Sequence, residues 1–168
     1  MSFLSEIFQS TGDQARLVTT LIAAIIAVVV VFLTQYFNAN RAKKEKHIEK
    51  IEEMYSALIK MQTLSANLHN EIIKSFNMVE ERRRLFDLND EFVAVSEIAY
   101  MLSSLYFTSL TEKLSEIRLE HDKVHSAFVN ANTLNDYIDK SEVHKANHSK
   151  LYLDLYSDLT VIMKKTMH

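Results

Sequence analysis

The feature that most constrains this chain is an uncharged apolar run from Leu17 to Phe37, LVTTLIAAIIAVVVVFLTQYF. At about 1.5 Å of rise per residue, a helix of this length reaches roughly 31 Å, which is the thickness of the hydrocarbon core of a bilayer. A secretory signal would need a shorter apolar segment followed by a cleavage site of small residues. This apolar run is longer than that, and no such cleavage site follows it. We therefore predict an uncleaved transmembrane helix over 17–37.

The segment 1–16 precedes this predicted anchor. Phe3, Leu4, Ile7 and Phe8 share one helical face, so the segment is either a short interfacial helix or a frayed terminus.

Charges on the two sides of the anchor predict its orientation. Five basic residues follow the apolar run within a short distance, whereas Arg16 alone precedes it. These five are Arg41, Lys43, Lys44, Lys46 and Lys50. Because cytoplasmic flanks carry the Lys/Arg excess, we expect the N-terminus outside and the C-terminal part in the cytoplasm, at a bacterial-type inner (plasma) membrane.

The composition of the remaining chain, 38–168, favours long helices. The sequence contains no Pro, no Cys, no Trp and a single Gly, so few residues can interrupt a helix or form the tight turns of sheets. We predict an all-α fold, in which a single transmembrane helix is followed by a cytoplasmic antiparallel helical bundle.

Apolar residues at spacings of three and four predict three long helices in this bundle, in a near-heptad pattern typical of coiled coils. The first runs over 38–86, with Arg82–Arg84 in its last turn, and the last runs from about 134 to 165. The second carries a 4-4-4 spacing near Thr108, which indicates a kink. A capping box at 109–112 supports the alternative of two shorter helices and four in all.

Two histidine pairs form the sharpest candidate site. His121 and His125 are four residues apart, as are His144 and His148, so each pair lies on one helix face. A hairpin folded at 134–135 would bring 121 to 148 and 125 to 144, with Glu52 or Tyr55 near the same level. This pattern suggests a metal site, a pH-sensitive polar layer, or histidines without a special role.

Motifs of enzymes are missing from the sequence. A chain with one Gly cannot form a Gly-rich phosphate loop, and a chain without Cys has no thiolate nucleophile. No basic face with interleaved aromatic residues indicates nucleic acid. We therefore expect a protein that is not an enzyme, carries no cofactor and does not bind nucleic acid.

The expected function is protein–protein interaction or self-assembly at the membrane, with the bilayer and a protein partner or a second copy as partners. One alternative is a membrane-active effector whose anchors associate through Ala23 and Ala27, four residues apart. Another is a metal or pH sensor that uses the four histidines. Fold alone does not decide between them.

Overall fold

The chain is helical throughout the described part. A computed structural model describes residues 11–76 and 82–167, and these residues contain no strand. Their four α-helices are α1 (Thr11–Ser75), α2 (Arg82–Tyr106), α3 (Thr111–Val129) and α4 (Leu134–Met167). A 3-10 turn at Thr108–Leu110 lies between α2 and α3. The predicted all-α class is confirmed, whereas the predicted interfacial helix at the N-terminus lies outside the described residues.

The chain separates into two compact units, Met1–Glu45 and Lys46–His168, and α1 contributes to both. In the first unit, every side chain from 17 to 37 is exposed. One helix, α1, is therefore long and apolar enough to cross a membrane, with a mean hydropathy of 2.9 in its most apolar window.

Three hydroxyl groups on the exposed apolar segment are satisfied within α1. Thr19 donates to the carbonyl of Ala15 at 2.7 Å, and Thr34 donates to that of Val30 at 2.8 Å. Thr20 makes the same type of bond to the carbonyl four residues earlier. Because a polar group without a partner is costly in hydrocarbon, these bonds make the threonines compatible with a bilayer core.

In the second unit, here called the helical unit, charged side chains join different helices. Lys60 of α1 pairs with Glu91 of α2 at 2.7 Å, and Glu71 of α1 lies 3.8 Å from Arg84 of α2. Between α3 and α4, Lys113 contacts Asp158, and Glu120 contacts His144.

The first helix of the helical unit ends earlier than predicted. α1 ends at Ser75 and α2 begins at Arg82, so Arg82–Arg84 open a helix and do not close one. The buried stripe of α2 extends back from Phe92 to Leu88 and Leu85, at the same spacing of three and four. The prediction that Arg82–Arg84 lie in the last turn of the first helix was therefore wrong.

The helical path is interrupted near Thr108, where the sequence indicated a kink. Phe107 leaves the helical region, with φ −139° and ψ 56°, and is only 3% exposed. Ser103 and Ser104 both donate to the carbonyl of Tyr100, which competes with the helical hydrogen bonds there. Across this interruption, the Thr111 hydroxyl donates to the Ser103 hydroxyl at 3.2 Å.

Phe107, and not Tyr106, occupies the apolar seam at this interruption. Tyr106 is 38% exposed, although its spacing of four from Leu102 and from Leu110 predicts a place on the apolar face of a regular helix. The Phe107 ring contacts His47 of α1 at 5.4 Å between centroids and belongs to the main buried cluster with Leu102 and Leu110. The change of direction between α2 and α3 therefore depends on one buried ring.

Replacement of this ring tests its role. Phe107→Ala is expected to lower the free energy of unfolding of the helical unit by about 3–5 kcal/mol, because it leaves a cavity in the main buried cluster. Tyr106→Ala, at the exposed neighbour, is expected to cost under about 1 kcal/mol. Urea denaturation of the full chain in detergent, followed by circular dichroism, measures both. Equal losses would contradict the assigned role of Phe107.

Candidate functional site

A layer of polar side chains crosses the helical unit where α2, α3 and α4 meet. His121 of α3 is 1% exposed and His148 of α4 is 8% exposed, and their ring centroids lie 6.2 Å apart. The predicted meeting of positions 121 and 148 is therefore observed. The His121 ring also stacks on Phe92 of α2, with centroids 3.5 Å apart and planes 9° from parallel.

The one polar contact of His121 fixes its tautomer. Its Nε2 lies 3.3 Å from Oδ1 of Asn89. Because this oxygen accepts a hydrogen bond, the neutral imidazole carries its proton on Nε2 and keeps a lone pair on Nδ1. Within the described part of the chain, that Nδ1 is buried without a hydrogen-bond partner, and so are Nε2 of His148 and the hydroxyl of Tyr152.

Burial keeps both histidines neutral. It lowers the pKa of His121 to about 3, and the nearby His148 and His125 add to the effect. Burial also lowers the pKa of His148 to about 4, although the carboxylate of Glu120 opposes the shift. A charged imidazole in this layer would be costly because it would be desolvated.

Glu120 is the charged group of the layer. Lys123 donates to its Oε1 at 2.6 Å, and His144 Nδ1 lies 2.8 Å from its Oε2. Burial alone would raise the pKa of Glu120, but the hydrogen bonds from Lys123 and His144 outweigh it and lower that pKa. A buried carboxylate is tolerated here because it is paired on both oxygens.

The four predicted histidines do not share one set of contacts. His121 and His148 lie together, whereas His144 pairs with Glu120. His125 is partly exposed on α3. The expected pairing of 125 with 144 is replaced by the Glu120–His144 contact.

Glu52 and Tyr55 do not lie at the level of the histidines, and this expectation was wrong. Tyr55 contacts Tyr156 of α4, with ring centroids 5.3 Å apart, two turns of α4 beyond His148. The expectation treated α2 and α3 as one kinked helix. The interruption at Phe107 separates them, so the levels calculated from one continuous helix do not apply.

The metal hypothesis for His121, His125, His144 and His148 stays a prediction. In residues 11–76 and 82–167, no three His, Cys, Asp or Glu side chains are grouped as metal ligands. The two unpartnered imidazole nitrogens are the atoms that a metal ion would use first, because a metal binds neutral imidazole.

A second polar chain, which sequence reasoning missed, joins α1 to α4. His69 Nδ1 lies 2.6 Å from the hydroxyl of Tyr137, and its Nε2 lies 3.0 Å from Nζ of Lys145. Burial, aided by the positive charge of Lys145, lowers the pKa of His69 to about 4. A neutral His69 can therefore accept from Lys145 and donate to Tyr137. The sequence gave no signal for this contact, because His69 has no second histidine three or four residues away.

An apolar groove lies between α1 and α4, away from the polar layer. It has a volume of about 610 Å³. Tyr55, Ile59 and Met163 line it and are 47%, 46% and 37% exposed. Glu52 and Lys60 are the charged residues of its wall. A groove with this lining suits a partner surface that has apolar side chains at its centre and polar side chains at its rim. Its lining residues do not form an acid–base or nucleophilic pair of the kind found in active sites.

Comparison with known proteins gives no relative from which a role could be transferred. No family model, no curated protein and no solved structure matches this chain.

The polar layer predicts a dependence of stability on pH. The folded pKa of His148, about 4, lies below its ordinary value of 6.5. The unfolded chain therefore binds a proton that the folded chain does not, so stability is complete above pH 6.5 and decreases as the pH falls toward 4. His148→Gln is expected to flatten this dependence by up to about 1.4 kcal/mol per pH unit.

Urea denaturation of the full chain at a series of pH values between 7 and 4 measures this slope. Asn147→Gln, at the exposed neighbour, is the matched control and should keep the original slope. An unchanged slope in His148→Gln would show that this imidazole does not titrate with unfolding.

Proposed function

We propose that the chain is a single-pass membrane protein whose helical unit binds a protein partner or a second copy, without catalysis. The observation that carries the proposal is the segment from Leu17 to Phe37, in which no side chain is buried within the chain. A helix of this hydropathy needs a lipid or protein environment, because exposed apolar surface of this extent is unfavourable in water.

The proposed orientation places the N-terminus outside and the helical unit in the cytoplasm of an inner (plasma) membrane. The five basic residues after the anchor support it. The contacts between consecutive helices support an up-and-down four-helix bundle for this unit.

Exposed apolar residues on the helical unit support a role in protein interaction. Tyr55, Ile59 and Met163 line an open groove, and their side chains stay exposed instead of packing into the buried core. The buried histidines His121 and His148 do not line this groove. A non-catalytic binding role is therefore the function that the described residues favour.

A pH-sensing role has one specific observation in its favour, the buried neutral histidines His69, His121 and His148. Their pKa values of about 4, 3 and 4 lie well below neutral pH. Such groups do not titrate within the folded unit near pH 6. A sensor built on them would respond by opening the helices, which exposes the imidazoles to water.

The absence of Cys makes the topology directly testable. Single cysteines are introduced at Ser10→Cys, before the anchor, and at Ser149→Cys, on an exposed position of α4. In intact cells, a membrane-impermeant maleimide is expected to label the first and to reach the second only after permeabilisation. The cysteine-free chain is the control for background. Labelling of Ser149→Cys in intact cells would contradict the proposed orientation.

Assembly is tested on the full chain, extracted from its own membranes with a mild detergent. The protein is expected to migrate in native electrophoresis well above its monomer mass of 19.5 kDa. Ile59→Glu, in the groove, is expected to reduce the complex, because it places a charge against apolar surface. Val143→Glu, at an exposed apolar position of α4, is the matched control. A monomeric wild type would contradict the proposed function.

A further inference from the structure

Helix α2 carries a second apolar stripe that the helical unit does not cover. Ile98, Met101 and Leu105 are 51%, 54% and 67% exposed. Their spacing of three and four places them on one face of α2. The buried face of the same helix uses a different set of residues, namely Leu85, Phe92, Val95, Ala99 and Leu102.

Acidic residues continue this stripe toward the start of α2. Asp87, Asp90 and Ala94 are exposed and precede Ile98 on the same face of α2, again at spacings of three and four. No Lys or Arg occurs between residues 85 and 112. This surface, here called the α2 face, therefore has an acidic half at Asp87 and Asp90 and an apolar half at Ile98, Met101 and Leu105.

Two other carboxylates of α2 are held by neighbouring helices. Glu91 pairs with Lys60 of α1 at 2.7 Å, and Glu97 lies 4.0 Å from Arg118 of α3. These ion pairs flank the α2 face and partly neutralise its edges. Among the described side chains, Asp87 and Asp90 are the carboxylates of α2 that lie outside these two ion pairs.

A second copy of the chain matches the α2 face poorly. In a parallel pair, Asp87 and Asp90 would face their own counterparts and repel them. In an antiparallel pair over the whole stripe, these carboxylates would lie against Met101 and Leu105 of the other copy, and burying a charge against apolar surface is costly. An anionic lipid surface is disfavoured as well, since the acidic half would be repelled.

From this arrangement, we propose that the α2 face binds an amphipathic helix of another protein, with basic residues opposite Asp87 and Asp90 and apolar residues opposite Ile98, Met101 and Leu105. The proposal rests on the proposed function, because it names the chemistry of the protein partner. A helix that binds along an apolar stripe buries apolar side chains at spacings of three and four. The charged residues at one end of the stripe determine the direction in which that helix binds.

The test uses the full chain in nanodiscs of zwitterionic lipid and two synthetic helical peptides of three heptads. One peptide carries Leu at the core heptad positions of one half and Lys at those of the other half, and its twin carries Glu in place of Lys. Fluorescence anisotropy measures the binding of each labelled peptide, and empty nanodiscs correct for binding to lipid. The Lys peptide is expected to bind more tightly than its twin, and less tightly as salt is raised.

Substitutions on the α2 face locate the binding. Leu105→Glu is expected to weaken binding of the Lys peptide by at least about tenfold, because it removes an apolar anchor. The matched control is Leu153→Glu on α4, where the leucine is 69% exposed, and it should bind as the wild type does. The double variant Asp87→Asn with Asp90→Asn is expected to remove the preference between the two peptides.

Three results would overturn the inference. The first is equal affinity for the two peptides, and the second is equal affinity of Leu105→Glu and Leu153→Glu for the Lys peptide. The third is a dimer in nanodiscs that Leu105→Glu converts to a monomer, because a second copy would then cover the α2 face. If the native complex forms and Ile59→Glu reduces it while neither peptide binds, the proposed function stands and this inference alone fails.

Discussion

Burial of Phe107 coincides with the break in the helical path between α2 and α3. The chain has no Pro and its one Gly lies at position 12, so no residue type forces the turn between α2 and α3. A ring that is 3% exposed takes that role, because Phe107 reaches the apolar cluster only when its backbone leaves the helix. Beyond this break, the ring of His121 on α3 stacks on Phe92 of α2, and the ring of His148 on α4 lies beside it.

The polar layer depends on keeping its imidazoles uncharged. His121 and His148 contribute ring surface to a core of aromatic and aliphatic side chains, and they retain nitrogen lone pairs there. Glu120 carries the only charge of this layer that is largely buried, and Lys123 and His144 satisfy it. Neutral rings thus pack like apolar groups at neutral pH, and the same rings oppose folding when they must take up protons.

Sequence patterns were sufficient to predict helices and contacts where the apolar residues follow a regular spacing. The helix over 17–37, the interruption near Thr108 and the meeting of His121 with His148 were all predicted. The end of α1 at Ser75 was not predicted, since the apolar spacing continues past it. The contact of His69 with Tyr137 was not found either, because it joins positions 68 residues apart and depends on how α4 lies against α1.

The threonine hydrogen bonds of α1 have a consequence for motion in a membrane. Because Thr19, Thr20 and Thr34 direct their hydroxyls to their own backbone, the segment presents mainly hydrocarbon around its circumference. Under the proposed insertion, such a helix is fixed in depth by its polar ends, and these three threonines do not favour one azimuth over another. Rotation about the membrane normal is then limited by interfacial side chains and by what the protein binds, and not by the threonines.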